Sequence, residues 1–470
     1  MAELVERLVE KMGGSPCVRE LILAAQKGEL CVGWDSHASI PSSLLSEGHD
    51  ENAFPHTPLV FQKDRLYLQR NWTLETLIIS QTKRLLCKIP LETSQKLEFQ
   101  ELLNRQKGVL SPSQFEAIEQ AFLKSFAIFA GGPGTGKTYT AAHLIRVLAS
   151  LHTKYKVAIA APTGKAASRL EEVLLGSEKP ESLICQTATL HRLLGLRPGS
   201  HRLGRTKRLD FDLIVIDEAS MLDHLLMAHL LEAIPENGRL LLLGDSNQLP
   251  PVESGSLFSE MAHLFGSFLT QSHRMEKGTL QEVAELICKQ DAEQALQRLK
   301  TQGCWIPWEE ISIQRLADWL KPEGRRILSP LRKGPFGVDQ LNQGLKQALR
   351  WQAIPILIKQ NDPKNQLWNG MSGVLQNGVA KFGDRSIPLG MLPLYEEAFC
   401  LSIHKSQGSE YDEVLVVFPP GAESFGKEAL YTAITRARKK VIVASTEDTI
   451  RSALAQEARK RSGFSDRVKL

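Results

Sequence analysis

Gly131-Gly132-Pro133-Gly134-Thr135-Gly136-Lys137-Thr138 is the stretch that decides the fold of this 470-residue chain. It lies between an apolar run at 126–130 and a helix-like run at 141–145. A strand, a glycine-rich turn and a helix in this order are typical of a phosphate-binding loop, because glycines let backbone N–H groups turn inward and the helix start adds a positive dipole end. We predict that these eight residues bind a nucleotide. Lys137 would reach its β- and γ-phosphates, and Thr138 would hold Mg²⁺.

A second nucleotide element follows the apolar run Leu213-Ile214-Val215-Ile216. Apolar residues without alternation suit a strand that is covered on both faces, and ligands of open α/β sheets collect at the carboxyl ends of such strands. Asp217 and Glu218 come directly after this run. Asp217 is therefore a candidate Mg²⁺ ligand, and Glu218 is a candidate base for an attacking water. An exposed acidic pair that closes a strand is the alternative interpretation.

Apolar runs alternate with helix-like segments through most of the chain, which indicates parallel sheets. The runs lie at 157–161, 213–216, 240–243, 326–329, 398–403, 414–418 and 441–444. We predict an α/β fold with two stacked domains, at 108–275 and 324–470, joined by a helical bridge at 276–323. A mixed α/β accessory domain that docks a partner is expected at 1–107, and a small β insertion at about 354–394.

The composition limits the class of protein. The 57 Lys and Arg residues and the 53 Asp and Glu residues leave a net charge of +4, which favours a polyanionic partner only slightly. The seven cysteines contain no Cys-x-x-Cys pair, so neither a disulfide framework nor a zinc site is indicated. The first residues mix charges with apolar positions, unlike a signal peptide, and no run approaches the ~18 apolar residues of a membrane span. We expect a cytoplasmic protein without a membrane partner.

Further motifs follow in a fixed order along the chain. They are Ala-Ala-Pro-Thr-Gly-Lys-Ala-Ala-Ser-Arg at 160–169, Thr-Ala-Thr-Leu-His-Arg-Leu-Leu-Gly at 187–195, Gly-Asp-Ser-Asn-Gln-Leu-Pro-Pro-Val at 244–252, Ser-Ile-His-Lys-Ser-Gln-Gly-Ser-Glu at 402–410 and Leu-Tyr-Thr-Ala-Ile-Thr-Arg-Ala-Arg at 430–438. With the phosphate loop, the series resembles superfamily 1 DNA helicases of the 5′→3′ class, and within them the RecD family, the alpha subunits of bacterial exodeoxyribonuclease V. The resemblance is strong over about 108–445. It implies that the two α/β domains are RecA-like motor domains that use ATP.

The resemblance implies roles for four more side chains near ATP. Arg436 is the expected arginine finger, which would stabilise charge on the γ-phosphate in the transition state. Arg274 is a second candidate finger, and a solvated basic residue is its alternative. Gln248 is expected to sense the γ-phosphate, although a helix-capping amide is the plainer interpretation. Gln114 is expected to contact the adenine edge, although a lone glutamine near a helix start would be unremarkable.

The resemblance also implies contacts with single-stranded DNA. The candidates are Pro162, Thr163 and His191 in the first domain, and Ser402 and His404 in the second. Hydroxyls and backbone groups suit the phosphate backbone, which a motor has to grip on any sequence. A core position is the alternative for both histidines. Residues 196–210 contain five basic residues and two turn signals, and we predict a protruding hairpin that is either a strand-separating wedge or a solvated loop.

The activity implied by the family is that of an ATP-dependent 5′→3′ DNA helicase subunit. It would act with RecB- and RecC-like subunits, as a heterotrimer, on single-stranded DNA and duplex ends in recombination and double-strand-break repair. No carboxylate-lysine nuclease cluster stands out, so DNA cutting would belong to a partner. Two alternatives stay open. One is a stand-alone RecD-like helicase, for which the N-terminal region looks short; the other is a nucleotide-gated regulatory scaffold, against which the intact set of Glu218, Gln248 and Arg436 argues.

Overall fold

The computed structural model describes residues 2–34, 40–49, 54–87, 92–162, 170–173, 180–196, 207–251, 257–271, 278–322, 324–349, 353–362, 364–456 and 461–468. Thr163, Arg274 and residues 197–206 of the predicted hairpin lie outside these ranges, so their roles stay predictions. Among the described residues, no helix is both long and apolar enough to cross a bilayer.

The N-terminal region combines four helices with a four-stranded sheet. The helices are α1 (Ala2–Lys11), α2 (Pro16–Gln26), α3 (Gln69–Leu85) and α4 (Thr93–Asn104), and the strands are β1 (Cys31–Gly33), β2 (Leu45–Glu47), β3 (Leu59–Gln62) and β4 (Arg65–Leu68). The strand order is β1-β4-β3-β2. Apolar residues of α3, such as Leu74 and Ile78, belong to the core of the following domain. Helix α3 therefore packs into the core of the first α/β domain, whereas α1, α2 and the N-terminal sheet have a core cluster of their own.

The first motor domain is built on a six-stranded parallel sheet. Its strands are β5 (Phe126–Ala130), β6 (Tyr155–Ala161), β7 (Leu183–Thr189), β8 (Leu213–Ile216), β9 (Arg239–Gly244) and β10 (Ser267–Phe268), and its helices are α5 (Pro112–Phe122), α6 (Lys137–Ser150), α7 (Leu190–Leu193), α8 (His224–Ala233) and α9 (Phe258–Phe265). The strand order is β10-β5-β9-β8-β6-β7. Strands β5 and β8 are buried along their whole length, as predicted for strands covered on both faces. Strand β7 was not predicted, because it is a partly exposed edge strand with polar positions.

The second motor domain has a five-stranded parallel sheet and a separate antiparallel insertion. Its helices are α10 (Thr279–Cys288), α11 (Ala292–Thr301), α12 (Ile313–Leu320), α13 (Val338–Leu349), α14 (Ile403–Ser406), α15 (Gly426–Ile434) and α16 (Glu447–Ala455). The strands of the parallel sheet are β11 (Trp305–Pro307), β12 (Arg325–Ser329), β18 (Cys400–Ser402), β19 (Tyr411–Val417) and β20 (Ala437–Ser445). The strands of the insertion are β13 (Ala353–Ile358), β14 (Ser372–Gln376), β15 (Val379–Phe382), β16 (Arg385–Pro388) and β17 (Tyr395–Glu397). The parallel sheet has the order β11-β20-β19-β12-β18, and the insertion has the order β16-β15-β14-β13-β17. The predicted fold class, with its small β insertion, is confirmed.

The segment predicted as a helical bridge, 276–323, contains a strand as well as helices. Strand β11 pairs in parallel with β20, with Trp305 opposite Val443, and so forms the edge of the second sheet. Leu280 and Leu296 are buried in the same cluster as the core of that domain. The segment is therefore part of the second motor domain. A three-residue strand with one fully buried side chain leaves too little pattern in the sequence to be predicted.

The last described residues pack against the N-terminal region. The predicted second motor domain, 324–470, therefore extends too far at its C-terminal end. A final helix, α17, begins at Phe464 and ends at Arg467. The carboxylate of Glu75 accepts hydrogen bonds from the backbone N–H of Gly463 at 2.6 Å and from the guanidinium of Arg467 at 2.9 Å. The Arg467 guanidinium also lies 3.8 Å from the centroid of the Trp72 ring. Glu75 and Arg467 are far apart in the sequence, so local patterns did not predict that they pair.

The Glu75–Arg467 ion pair supplies a test of this packing. Both side chains are almost fully buried, at 0% and 3% exposure, and burial raises the pKa of Glu75 against the opposing effect of Arg467. Arg467→Ala leaves the Glu75 carboxylate buried without its cation, so we expect the free energy of unfolding to fall by about 3–5 kcal/mol. Urea denaturation monitored by circular dichroism measures this change.

The matched control is Arg7→Ala, which removes an ion pair whose two side chains are 72% and 82% exposed. We expect a change of less than about 1 kcal/mol for this variant. Equal effects of the two substitutions would contradict the structural role of the C-terminal helix.

Candidate active site

The phosphate loop follows β5 and leads into α6. Gly134 and Gly136 have φ angles of +79° and +81°, which residues other than glycine rarely adopt. A Cβ atom at Gly131 would lie 2.7 Å from the carbonyl oxygen of Leu269, so the backbone there leaves no room for a side chain. Glycine is thus required at these three positions, which explains why this loop is so readily recognised in the sequence.

The ammonium group of Lys137 is held over the loop. It donates hydrogen bonds to the carbonyl oxygens of Gly131 at 2.6 Å and Gly132 at 3.0 Å. The hydroxyl of Thr135 also donates to the carbonyl of Gly132, at 2.9 Å. These contacts keep the lysine beside the start of α6, where backbone N–H groups favour an anion.

Neighbouring strands bring the acidic candidates to the loop. In the sheet, β9 lies between β5 and β8, so the loop, Gln248 and Asp217 all follow adjacent parallel strands at one edge. Asp217 is 8% exposed, and its Oδ1 accepts a hydrogen bond from the N–H of Glu218 at 2.8 Å. Glu218 has a φ of +53°, a strained conformation for a residue other than glycine. Such strain is often found at functional sites.

Arg436 reaches the same region from the second motor domain. It lies between α15 and β20 and is 4% exposed. Its Nε donates to the carbonyl oxygen of Thr432 at 3.1 Å, and its Nη1 donates to that of Ser409 at 3.4 Å. Glu410 comes just before β19, the strand next to β20, so the two residues share the amino edge of the second sheet.

A cleft of about 480 Å³ lies between the two motor domains. It is lined by the predicted residues Gln114, Pro133, Gly134, Gly136, Lys137, Thr138, Asp217, Glu218, Gln248 and Arg436. Asp245 and Glu410 also line the cleft. Both lie inside the motifs at 244–252 and 402–410, but no role was predicted for them. The structure therefore brings the phosphate loop and Arg436 to one shared cavity.

The two glutamines have different surroundings. Gln114 Oε1 accepts a hydrogen bond from the N–H of Ser111 at 3.0 Å, and its Nε2 donates to the carbonyl of Thr135 at 3.3 Å. Gln114 thus caps α5 and is hydrogen-bonded to the phosphate loop, in addition to lining the cleft. Gln248 Nε2 donates to Asp245 Oδ2 at 3.3 Å, while its Oε1 is buried and has no hydrogen-bond partner among the described residues. A buried acceptor of this kind suits a bound donor such as water.

The oxygen donors of the cleft fit Mg²⁺. The hydroxyl-bearing Thr138 and the carboxylates of Asp217 and Glu218 line it together. Mg²⁺ prefers hard oxygen ligands and usually combines one or two carboxylates with substrate phosphates and waters. In the described part of the chain, no group of three or more His, Cys, Asp and Glu side chains is arranged as a metal site.

The described candidate DNA residues, Pro162, His191, Ser402 and His404, are not among the residues that line this cleft. Pro162 and His191 follow β6 and β7, which are neighbours at the end of the first sheet beyond β8. His191 is exposed, which excludes the core alternative, whereas His404 is half-buried with its ring 6.5 Å from that of Phe425. The hydroxyl of Ser402 caps α14 by accepting from the N–H of Lys405.

Comparison with known protein families agrees with this architecture. A family described as an AAA domain matches residues 114–254, and the UvrD-like helicase C-terminal domain matches residues 397–444. The ATP-dependent RecD2 DNA helicase of Deinococcus radiodurans is 29% identical, over 85% of this chain and 58% of that protein. The fold, the cleft and the two matched domains together define a helicase of superfamily 1.

Curated relatives define the family more closely. The RecBCD enzyme subunit RecD of Mycolicibacterium smegmatis is 32% identical, over 97% of this chain and 91% of that protein. The subunit of the same name from Haemophilus influenzae is 29% identical, over 87% of this chain and 80% of that protein. The chain belongs to the RecD family.

Lys137→Ala tests the phosphate loop. Removing the ammonium group leaves the nucleotide phosphates without their cation, so we expect ATP hydrolysis to fall by at least about 100-fold. The fold should persist, because the side chain makes only local hydrogen bonds to its own loop. A steady-state ATPase assay and a melting curve measure the two effects. Lys156→Ala, which removes an ion pair with Asp210 away from the loop, is the control, and near wild-type hydrolysis by Lys137→Ala would exclude Lys137 from the site.

Arg436→Ala tests the contribution of the second motor domain. An arginine finger supplies about 10³–10⁵ in rate, so we expect kcat to fall by that order. Arg436→Lys keeps the positive charge but loses the planar guanidinium, which can donate two hydrogen bonds at once. It should therefore recover only part of the rate, and it should disturb the structure less than Arg436→Ala does. The control is Lys439→Ala, three residues along, whose side chain is 70% exposed and pairs with Asp412. A kcat for Arg436→Ala equal to that of the control would contradict the finger role.

Proposed function

We propose that the chain is the RecD-type subunit of a complex with RecB- and RecC-like subunits, and that it moves 5′→3′ on single-stranded DNA while it unwinds duplex ends. The observation that most strongly supports the motor is the shared cleft, which Lys137 and Arg436 line from different domains. The proposed partners follow from the M. smegmatis and H. influenzae relatives, both named as RecBCD subunits.

In the proposed mechanism, the first motor domain binds the triphosphate and prepares the water. Lys137 contacts the β- and γ-phosphates. Thr138 and Asp217 would hold Mg²⁺, which would neutralise phosphate charge. Glu218 accepts a proton of the attacking water as the water oxygen bonds to the γ-phosphorus and the bond to the β–γ bridging oxygen breaks, which leaves ADP and phosphate. Gln248, which lines the same cleft, orients that water. Arg436 contacts the γ-phosphate from the second domain as charge develops.

Hydrolysis would couple to movement through the loss of the γ-phosphate. The anion that Lys137 and Arg436 contact together disappears, so the attraction between the two domains falls. Pro162 and His191 belong to the first domain and Ser402 and His404 to the second, so the spacing of their proposed DNA contacts would change in each cycle. Opening one base-pair step costs about 1.4 kcal/mol of stacking on average, so each cycle needs only to favour fraying.

Two alternatives receive less support. A stand-alone helicase is represented by the D. radiodurans relative, but the RecD subunit of M. smegmatis is more similar, with 32% identity over 97% of this chain against 29% over 85%. A regulatory scaffold without unwinding would not need a complete hydrolytic set, yet Glu218, Gln248 and Arg436 line one cleft.

The experiment combines purification with unwinding assays. The tagged chain is purified from its native host with its bound partners, and duplexes with a 5′ or a 3′ single-stranded tail are offered to the complex. We expect unwinding of the 5′-tailed duplex that is lost when the complex contains Lys137→Ala, because this subunit would be the motor on that strand.

The 3′-tailed duplex is the control for direction, and its unwinding should not depend on Lys137. Loss of 3′-tailed unwinding instead would contradict the proposed direction. Equal unwinding by the chain purified without partners would favour the stand-alone helicase, and DNA-stimulated hydrolysis without any unwinding would favour the scaffold.

A further inference from the structure

The second motor domain makes hydrogen bonds and an apolar contact to one short segment of the first, residues 245–249. The N–H of Leu249 donates to the hydroxyl of Thr432 at 2.7 Å, and the carbonyl oxygen of Leu249 accepts from Nε2 of Gln407 at 2.8 Å. Leu249 is also buried in the apolar core of the second domain. These contacts hold the main chain of the segment that contains Gln248.

A third contact acts on a side chain of this segment. The hydroxyl of Tyr431, on α15, donates to Asp245 Oδ2 at 3.0 Å. The same oxygen accepts from Nε2 of Gln248 at 3.3 Å, so one carboxylate oxygen joins a residue of the second domain to a residue of the cleft. The Tyr431 hydroxyl also lies against the phosphate loop, 3.1 Å from where a Cβ of Gly132 would be.

The chemistry of the contact suits a fixed donor. Tyr431 is 5% exposed and Asp245 is 2% exposed. Burial, and secondly the Asp245 carboxylate, raise the pKa of Tyr431 well above its usual value. The phenol therefore keeps its proton, and the bond is a charge-assisted hydrogen bond away from water, which is among the stronger kinds.

We propose that Tyr431 is a positioning residue for ATP hydrolysis: its hydroxyl holds the Asp245 carboxylate, and Asp245 in turn fixes the side-chain amide of Gln248, which lines the cleft. When the domains are docked, Asp245 Oδ2 accepts from both Tyr431 and Gln248, while Oδ1 accepts from the N–H of Asn247 at 3.0 Å, and the amide orientation is set. When they separate, Asp245 loses its donor from the second domain, and Gln248 loses a fixed anchor. Gln248 would then be correctly oriented only in the docked state. This inference rests on the proposed role of Gln248.

The test is Tyr431→Phe, which removes one hydroxyl and keeps the ring in the apolar core. We expect kcat for ATP hydrolysis at saturating single-stranded DNA to fall about tenfold, the usual effect of losing a hydrogen bond to a charged group. KM for ATP should change less than about twofold, because the proposed phosphate ligands are untouched. The control is Tyr155→Phe, which removes a buried hydroxyl that has no hydrogen-bond partner among the described residues, and it should leave both parameters unchanged.

A double-mutant cycle with Gln248→Ala shows whether Tyr431 acts through Gln248. If it does, Tyr431→Phe has no further effect on kcat in the Gln248→Ala background. Independent, multiplying effects would overturn the proposal, as would a wild-type kcat for Tyr431→Phe beside an impaired Gln248→Ala. A wild-type kcat for Gln248→Ala would instead refute the proposed role of Gln248 itself. Melting curves of all variants, taken with the KM values, identify a loss of kcat that comes only from unfolding, which would also overturn the proposal.

Discussion

The burial of β5, β9 and β8 side by side is the constraint on which the rest of this structure depends. Their residues are almost entirely apolar and covered on both faces, so the strands can only occupy the middle of a parallel sheet. Parallel strands end at the same edge, which brings together three loops that lie at 131–138, 217–218 and 245–249 in the chain. The phosphate loop, Asp217 and Gln248 are neighbours for this reason alone, and no contact between their side chains is needed to assemble them.

The second motor domain contributes to the cleft with the amino ends of its strands. Glu410 and Arg436 lie at the amino ends of β19 and β20, whereas Ser402 lies at the carboxyl end of β18. Arg436 is buried and bonded to two backbone carbonyls, so its position is fixed relative to its own domain. The distance from the guanidinium to a nucleotide on the phosphate loop therefore depends on how the domains sit, and much less on the rotamer of one side chain.

Local patterns in the sequence were enough to predict the phosphate loop, Asp217 and most strands of the two parallel sheets, whereas Gln114, Gln248 and Arg436 were expected from the family resemblance. The loop glycines are required by backbone geometry, and Asp217 follows a strand that is apolar throughout, so short motifs describe both. The strand β11 and the pairing of Glu75 with Arg467 could not be predicted, because each is stabilised only by residues far away in the chain. Tyr431 lay in a quoted motif, but its partner Asp245 belongs to the other domain, and no spacing in the sequence indicates that they meet.

The distribution of apolar and polar contacts suggests where movement takes place. One core joins α3, the first motor domain and Phe464 of the C-terminal helix, so these parts form a single block. Between that block and the second domain, the segment 245–249 is held by three hydrogen bonds and one buried leucine. Each such hydrogen bond contributes only about 0.5–1.5 kcal/mol net, and one to a charged group about 1.5–3. Contacts of this size can be broken and remade in every cycle, whereas opening the shared core would expose many apolar side chains and amount to partial unfolding.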